Sequence, residues 1–417
     1  MNIPLSSPDI TELEIKYVTD VLKTPYLSLG PKLNEFEEKF AEYIGAKHAI
    51  AVNSGTSGLH LCIKALGISE GDEVITTSFS FIASASCLLY ERAKPIFVDI
   101  DKSTLNICPD KIEEFIEKSI SQNRQHKIKA ILPVHVFGHP CDMQKIMGIA
   151  NRYNLLVIED ACEALGAEYG FRETQGNGMR YTIPEFVNKK TALNSTLSNH
   201  TRETIKWKKA GTIGKVGVFA FYPNKQMTTG EGGIIVTNDK RISDTCKSLR
   251  NQGRSSNSRW LKHVRLGYNY RISDINCALG LAQLQRLEEI LQKRERIANL
   301  YNQILKNCKG FRIPYVDPSV RMSWFVYVLH LDEEFGEKER DSIINALKRK
   351  GIACSNYFPP IHLQPIFVNL FGYRNGALPI TEKIAERTLA LPFHNNLTEQ
   401  EVWFIAETLK GEINRRI

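Results

Sequence analysis

The sequence predicts an α/β protein, with a large domain on a mostly parallel sheet and a smaller C-terminal α+β domain. Three observations carry this reading. Short apolar runs alternate with amphipathic helical segments up to about residue 170, as in a parallel sheet joined by crossover helices. A chain of 417 residues allows two or three domains at roughly 150 residues each. After residue 250 the alternation gives way to a long helix, a strand, a helix, a Pro-rich turn and a last helix. The expected division is therefore 1–250 and 251–417.

The elements follow in order. Leu33–Tyr43 and Thr56–Leu66 have apolar residues at helical spacing. DEVITTSFSF reads as a strand running into a Ser/Thr loop, and KPIFVDID as a strand ending in acids. IKAILPVHVFG is a buried strand, Met143–Tyr153 a helix, and NLLVIEDACEALG a strand entering a helix. Residues 171–207 are polar and without periodicity, which reads as a long loop or insertion. KVGVFAFYPNKQMTTGEGGIIVTN is a strand, a tight turn and a strand. Ser273–Glu295 reads as one long helix. WFVYVLHL, ERDSIINALKRKG, YFPPIHLQP and TEQEVWFIAETLK supply the strand, helix, turn and final helix of the smaller domain.

Composition excludes several classes. With 42% hydrophobic and 24% charged residues, the chain is neither disordered nor fibrous. No apolar run approaches the roughly 20 residues of a membrane span, and the N-terminus has no signal-peptide pattern. Nine cysteines, with no C-x-x-C, sit mostly in apolar segments; buried thiols in a reducing cytoplasm are expected. No His/Cys spacing supports a metal site. The net charge of +8 is local: 171–209 carries eight Lys/Arg against three Glu, and 240–271 nine against one Asp. The remainder is acidic, which argues against nucleic acid. The second basic stretch suits either an anionic small molecule or a solvated face.

Four segments carry chemistry. Asn53–Gly58 (NSGTSG) opens a helix whose N-terminal amides favour phosphate, although Ser, Thr and Gly also make ordinary caps. Asp160 ends a buried strand and needs a cationic partner, either a pyridinium N–H or a structural group. Lys225 lies in a turn ahead of a Gly-rich segment; a lysine forming a Schiff base must lose its proton easily, whereas most lone lysines are solvated. LGYNYR precedes the long helix. A phosphate loop, a strand-end aspartate and a turn lysine form the parts of a pyridoxal-phosphate site.

These segments, with SFSFIASA, PVHVFGHPCDM, SLRNQGR and LALPFHNNL, resemble the DegT/DnrJ/EryC1/StrS sugar aminotransferases, perosamine synthases in particular, of the aspartate-aminotransferase fold (fold type I). The resemblance covers nearly the whole chain outside 171–207. It implies that Lys225 holds the cofactor and moves protons, and that Asp160 pairs with the pyridinium nitrogen. Gly55, Thr56 and Ser57 would hold the phosphate. Phe81 and Cys162 would flank the ring, with Glu163 near its phenolic oxygen at a position often Gln or His. Asn269 would reach the partner subunit's cofactor phosphate in a homodimer. Ala220 departs from a phosphate-binding Ser, and 171–207 is longer than in relatives.

The implied reaction is amination of a nucleotide-linked keto-sugar, such as a 4-keto-6-deoxy sugar, with L-glutamate as donor, for polysaccharide such as O-antigen or capsule. Arg250, Arg254 and Arg259 are candidates for the nucleotide diphosphate, and His362 for a residue facing the site. A sugar 3-dehydratase using pyridoxamine phosphate, which carries His in place of the lysine, and a non-catalytic regulator are the alternatives.

Overall fold

The computed structural model describes residues 2–173, 204–255 and 262–417. Its first elements are α1 (Glu12–Leu22), α2 (Pro31–Ile44), β1 (His48–Val52), α3 (Gly55–Ala65), β2 (Glu73–Thr77), α4 (Ala83–Leu89) and β3 (Lys94–Val98). There follow α5 (Pro109–Ser121), β4 (Ile128–Leu132), α6 (Met143–Arg152), β5 (Leu156–Asp160), β6 (Glu168–Glu173), β7 (Thr204–Lys209), β8 (Val216–Ala220), β9 (Gly233–Thr237) and α7 (Lys240–Arg250). The C-terminal part contains α8 (Asp274–Gln285), α9 (Leu287–Leu305), β10 (Phe311–Arg312), β11 (Val320–Arg321), β12 (Tyr327–Leu331), α10 (Glu337–Arg349), α11 (Pro365–Phe371), α12 (Pro379–Ala385), β13 (Thr388–Leu391) and α13 (Glu399–Asn414).

Seven strands form the central sheet in the order β1-β9-β8-β5-β4-β2-β3. All neighbours are parallel except at β9, which runs against both β1 and β8. Interior strands such as VITT and IIVT are buried along their whole length, as a sheet covered on both faces requires. The carboxyl ends of β1, β2, β5 and β8 therefore open on one edge, where binding groups of parallel sheets collect. Among the described residues no helix is long and apolar enough to cross a membrane.

A separate apolar cluster holds β10, β12, β13, α10 and α13 together, and draws on α9 from Ile297 onward. Leu281 and Leu287 instead pack with α2, β8 and β9. Apolar packing thus changes partner inside α9, well beyond residue 250.

Three local expectations are corrected. The chain after Asp160 does not enter a helix: it makes turns, with Gly166 at φ +90°, and runs into β6. The single helix read over 273–295 is two, α8 and α9, separated at Arg286 (φ −101°, ψ 5°). There the guanidinium turns aside to bind Asp9, Glu14 and Glu289. The ends of the polar segment 171–207 are not loop. Glu168–Glu173 and Thr204–Lys209 pair antiparallel over six residues and join β11. Tyr169 and Phe171 alternate on the buried face of β6, but the mostly exposed, Lys-rich β7 and the long polar stretch between the two strands masked this short pattern. The middle of that segment, 174–203, lies outside the described residues.

Candidate active site

The phosphate loop is built by β1 delivering the chain to Ser54, the N-cap of α3, whose hydroxyl accepts from the Ser57 amide at 3.1 Å. That cap leaves the amides of Gly55 and Thr56 without intrahelical acceptors, as at every helix start. Close packing puts them at the sheet edge. A Cβ on Gly55 would stand 2.8 Å from Ala220 Cβ and 2.9 Å from Cys162 Sγ, and one on Gly58 would stand 2.7 Å from Val218 Cγ1. Ala220, the departure noted from the sequence, thus lies directly against the loop. Ser57 is less open to a ligand, its hydroxyl being 2.9 Å from that of Ser54.

Asp160 closes β5 opposite Val218 of β8. It is 4% exposed, and its carboxylate accepts from the Ser84 hydroxyl at 2.8 Å and from the Cys162 amide at 3.1 Å. Among the described residues no cation pairs with it, so a buried negative charge faces the sheet edge. Ser84, on α4, had no signal in the sequence. Its hydroxyl also lies 3.3 Å from the carbonyl of Phe81, the aromatic residue that is 61% exposed at the mouth of the site. Burial pushes the Cys162 thiol well up, with the Asp160 charge adding to it, so it stays protonated beside the loop.

Lys225 follows β8 by a short turn. Its Nζ stands 3.6 Å from Glu163 Oε1 and 3.8 Å from the centre of the Phe325 ring. The other Glu163 oxygen accepts from the Phe137 amide at 2.8 Å. Burial pushes the Glu163 carboxyl up, while the Lys225 charge pulls it back. The side-chain Oδ1 atoms of Asn53 and Asn224, flanking the loop and the lysine, are buried without a hydrogen-bond partner among the described residues. Helix-start amides, a buried carboxylate and a lysine whose side chain is largely out of solvent fit a phosphorylated pyridine aldehyde.

Asn269 is exposed. Its backbone bridges Asn251, and the next residue, Tyr270, accepts from the Asn53 amide at 3.0 Å. LGYNYR therefore lies beside the phosphate loop, with the Asn269 side chain turned to the surface.

The candidate substrate residues fare differently. Arg250 is buried, and its guanidinium pairs with Glu37 and binds the Ala51 carbonyl; it is a core ion pair and faces no ligand. Arg250→Met leaves Glu37 with the Ala51 amide at 3.0 Å and Lys247, its remaining cation, at 3.4 Å. A loss of about 3 kcal/mol in urea unfolding is expected, with kcat per folded molecule unchanged; an unaltered midpoint would contradict this. Arg254 is half-buried, bridged to His263, with a 3.4 Å contact to Gln252. No contact links it to Asp160 or Lys225. Arg259 lies outside the described residues.

His362 does not face the site. It is fully buried between the Ser78 hydroxyl (2.7 Å to Nδ1) and Glu382 (2.9 Å to Nε2), and so ties α12 to the loop after β2. Burial holds its ring below the usual histidine range, opposed by Glu382. Burial also lowers His60, His139 and His394, and takes His330 down to about 4. All five bind protons more readily when unfolded, at about pH 6.5. Their stability contribution is full above that value and is lost as pH falls through it toward the folded values. The melting temperature is expected to drop between about pH 7.5 and pH 5; a flat profile would refute the assignment.

The sheet edge and its residues define a pyridoxal-phosphate aminotransferase of fold type I. The comparisons with known proteins agree. The chain belongs to the DegT/DnrJ/EryC1/StrS aminotransferase family, whose sequence profile matches residues 8–410. It is 37% identical to GDP-perosamine synthase of Caulobacter vibrioides, over 96% of this chain and 95% of that one. It is 35% identical to the spore coat polysaccharide biosynthesis protein SpsC of Bacillus subtilis, over 98% and 96%. The fold matches Helicobacter pylori PseC, an aminotransferase involved in the biosynthesis of pseudoaminic acid, with TM-score 0.83, 27% identity and full coverage of both chains. Pyridoxal phosphate is the cofactor of this family.

Proposed function

We propose that the protein transfers an amino group from L-glutamate to a nucleotide-linked 4-keto-6-deoxy sugar, for polysaccharide biosynthesis, as a cytoplasmic homodimer with shared sites. The observation that carries this reading is Lys225, held at the sheet edge between Glu163 and Phe325. The relatives named GDP-perosamine synthase support the sugar class and favour guanosine diphosphate. The presence of Lys225 speaks against the 3-dehydratase alternative, and a visible band from the loaded protein would speak against the regulator.

Bound at this edge, pyridoxal phosphate supplies an electron-withdrawing ring that carries the amino group between two substrates. Lys225 Nζ holds the cofactor, then moves the proton at the reacting carbon. Asp160 keeps a fixed negative charge for the ring nitrogen. The Gly55 and Thr56 amides bind the phosphate. Phe81 and Cys162 bound the ring from either side. Asn269, at the surface, reaches toward the partner subunit's phosphate. The division at residue 250 is kept as a proposal, with the LGYNYR segment just after it still serving the phosphate loop.

The test is the visible spectrum of the loaded protein before and after L-glutamate, followed by nucleotide keto-sugars under single turnover. Loss of the visible band with glutamate and its return with one keto-sugar is the expected result. A band indifferent to glutamate overturns the donor. A band that responds to glutamate but to no keto-sugar overturns the sugar class.

A further inference from the structure

Arg294 is the buried cation for which the site as described has no use. It lies on α9 between Leu287 and Ile297, where the helix passes from one apolar cluster to the other, and is 3% exposed. Burial lowers its pKa to about 10, and among the described residues no carboxylate forms an ion pair with it. Its hydrogen-bond partners are backbone carbonyls from two segments, and its guanidinium lies 5.6 Å from the centre of the Phe393 ring. Nη2 donates to Lys225 at 3.0 Å. Nη1 donates to Phe325 at 3.1 Å and to Trp324 at 3.4 Å.

A buried guanidinium without a counter-ion is costly, and an apolar side chain would fill the same space with less desolvation. What the guanidinium adds is a planar fork of donors in fixed geometry. Here that fork joins the turn carrying Lys225 to the segment entering β12. The two residues it ties, Lys225 and Phe325, also meet through their side chains, with Nζ 3.8 Å from the ring centre. Gln226 makes a second stitch nearby: its Nε2 donates to the Glu163 carbonyl at 2.6 Å and contacts the Ser323 hydroxyl at 3.1 Å.

We propose that Arg294 is a positioning residue, binding the lysine's turn and the Phe325 wall into one unit and so setting where Lys225 Nζ stands. This rests on Lys225 being the cofactor lysine. Substitution acts on the lysine's approach to the cofactor and leaves the phosphate loop, Asp160 and Glu163 in place.

The test uses full-length Arg294→Lys and Arg294→Met. Lysine keeps the charge but cannot span the three carbonyls with one head. Three quantities are read: the rate at which cofactor-free protein captures pyridoxal phosphate, the visible circular dichroism of the loaded protein, and the Kd for pyridoxamine phosphate, which makes no lysine link. Arg294→Met is expected to slow capture about 10²-fold, as a misplacement near 1 Å does, and to weaken the dichroism. Arg294→Lys is expected to fall between Met and the native protein. The Kd stays within a few-fold in both.

Capture rates and dichroism equal to the native protein's overturn the proposal. So does a Kd that weakens in step with the capture rate, since that marks general damage to the site. If the Met variant does not fold, the Lys variant decides alone. A native protein with no visible band overturns the role of Lys225 instead, so the two failures are distinguishable.

Discussion

Lys225→Ala is expected to lower turnover by at least about 10⁴-fold, since one side chain both holds the cofactor and moves the proton. Among the described residues nothing near it can take over. The other groups within reach of its Nζ are Glu163, whose carboxyl is anchored on the Phe137 amide, and the Phe325 ring. Cys162 keeps its proton through burial. The variant is expected to fold, because among the described residues Nζ satisfies no buried acceptor other than the longer 3.6 Å Glu163 contact. Absorbance after adding pyridoxal phosphate and then L-glutamate checks this. Retention of a tenth of native turnover would remove Lys225 from its assigned role.

Asp160→Asn is expected to cost about 10²–10³ in kcat, the scale of losing one preorganised electrostatic partner in a dry site. The substitution is nearly isosteric. The Asn carbonyl can still accept from the Cys162 amide, and the Ser84 hydroxyl can rotate to accept from the new amide. What disappears is a charge that is 4% exposed and has no cation beside it among the described residues. The cofactor-free protein is therefore expected to hold its stability or gain about 1 kcal/mol, by relief of an uncompensated buried charge. Urea unfolding and kcat measured on one preparation separate the two effects. Equal losses in both would mean that Asp160 is a structural group.

Much of the site was legible before any coordinates, because its signals are local. A phosphate loop must open a helix, so Ser, Gly and Thr fall at a helix start following an apolar run. A strand-end acid must interrupt an apolar run, and LVIED does so visibly. A turn lysine lies between two strand patterns, and β8 and β9 stand on either side of it. Within the basic stretch 240–271, Arg250 misled for the opposite reason. The charge count of the stretch was right, but Arg250 belongs to Glu37, 213 residues away, and no spacing records that partnership. His362 misled similarly, with Ser78 lying 284 residues distant.

The sequence by itself determined the alternation of strands and helices up to β5, the helix start after β1, and the order in which loop, aspartate and lysine meet the sheet edge, because each depends on neighbours within a few residues. Only the tertiary structure decided which buried polar groups meet. It assigned Arg250 and His362 to the interior, brought Ser84 to Asp160, and set Arg294 on the carbonyl of Lys225. A buried charge or hydroxyl must find a partner somewhere, and packing alone decides which distant segment supplies it.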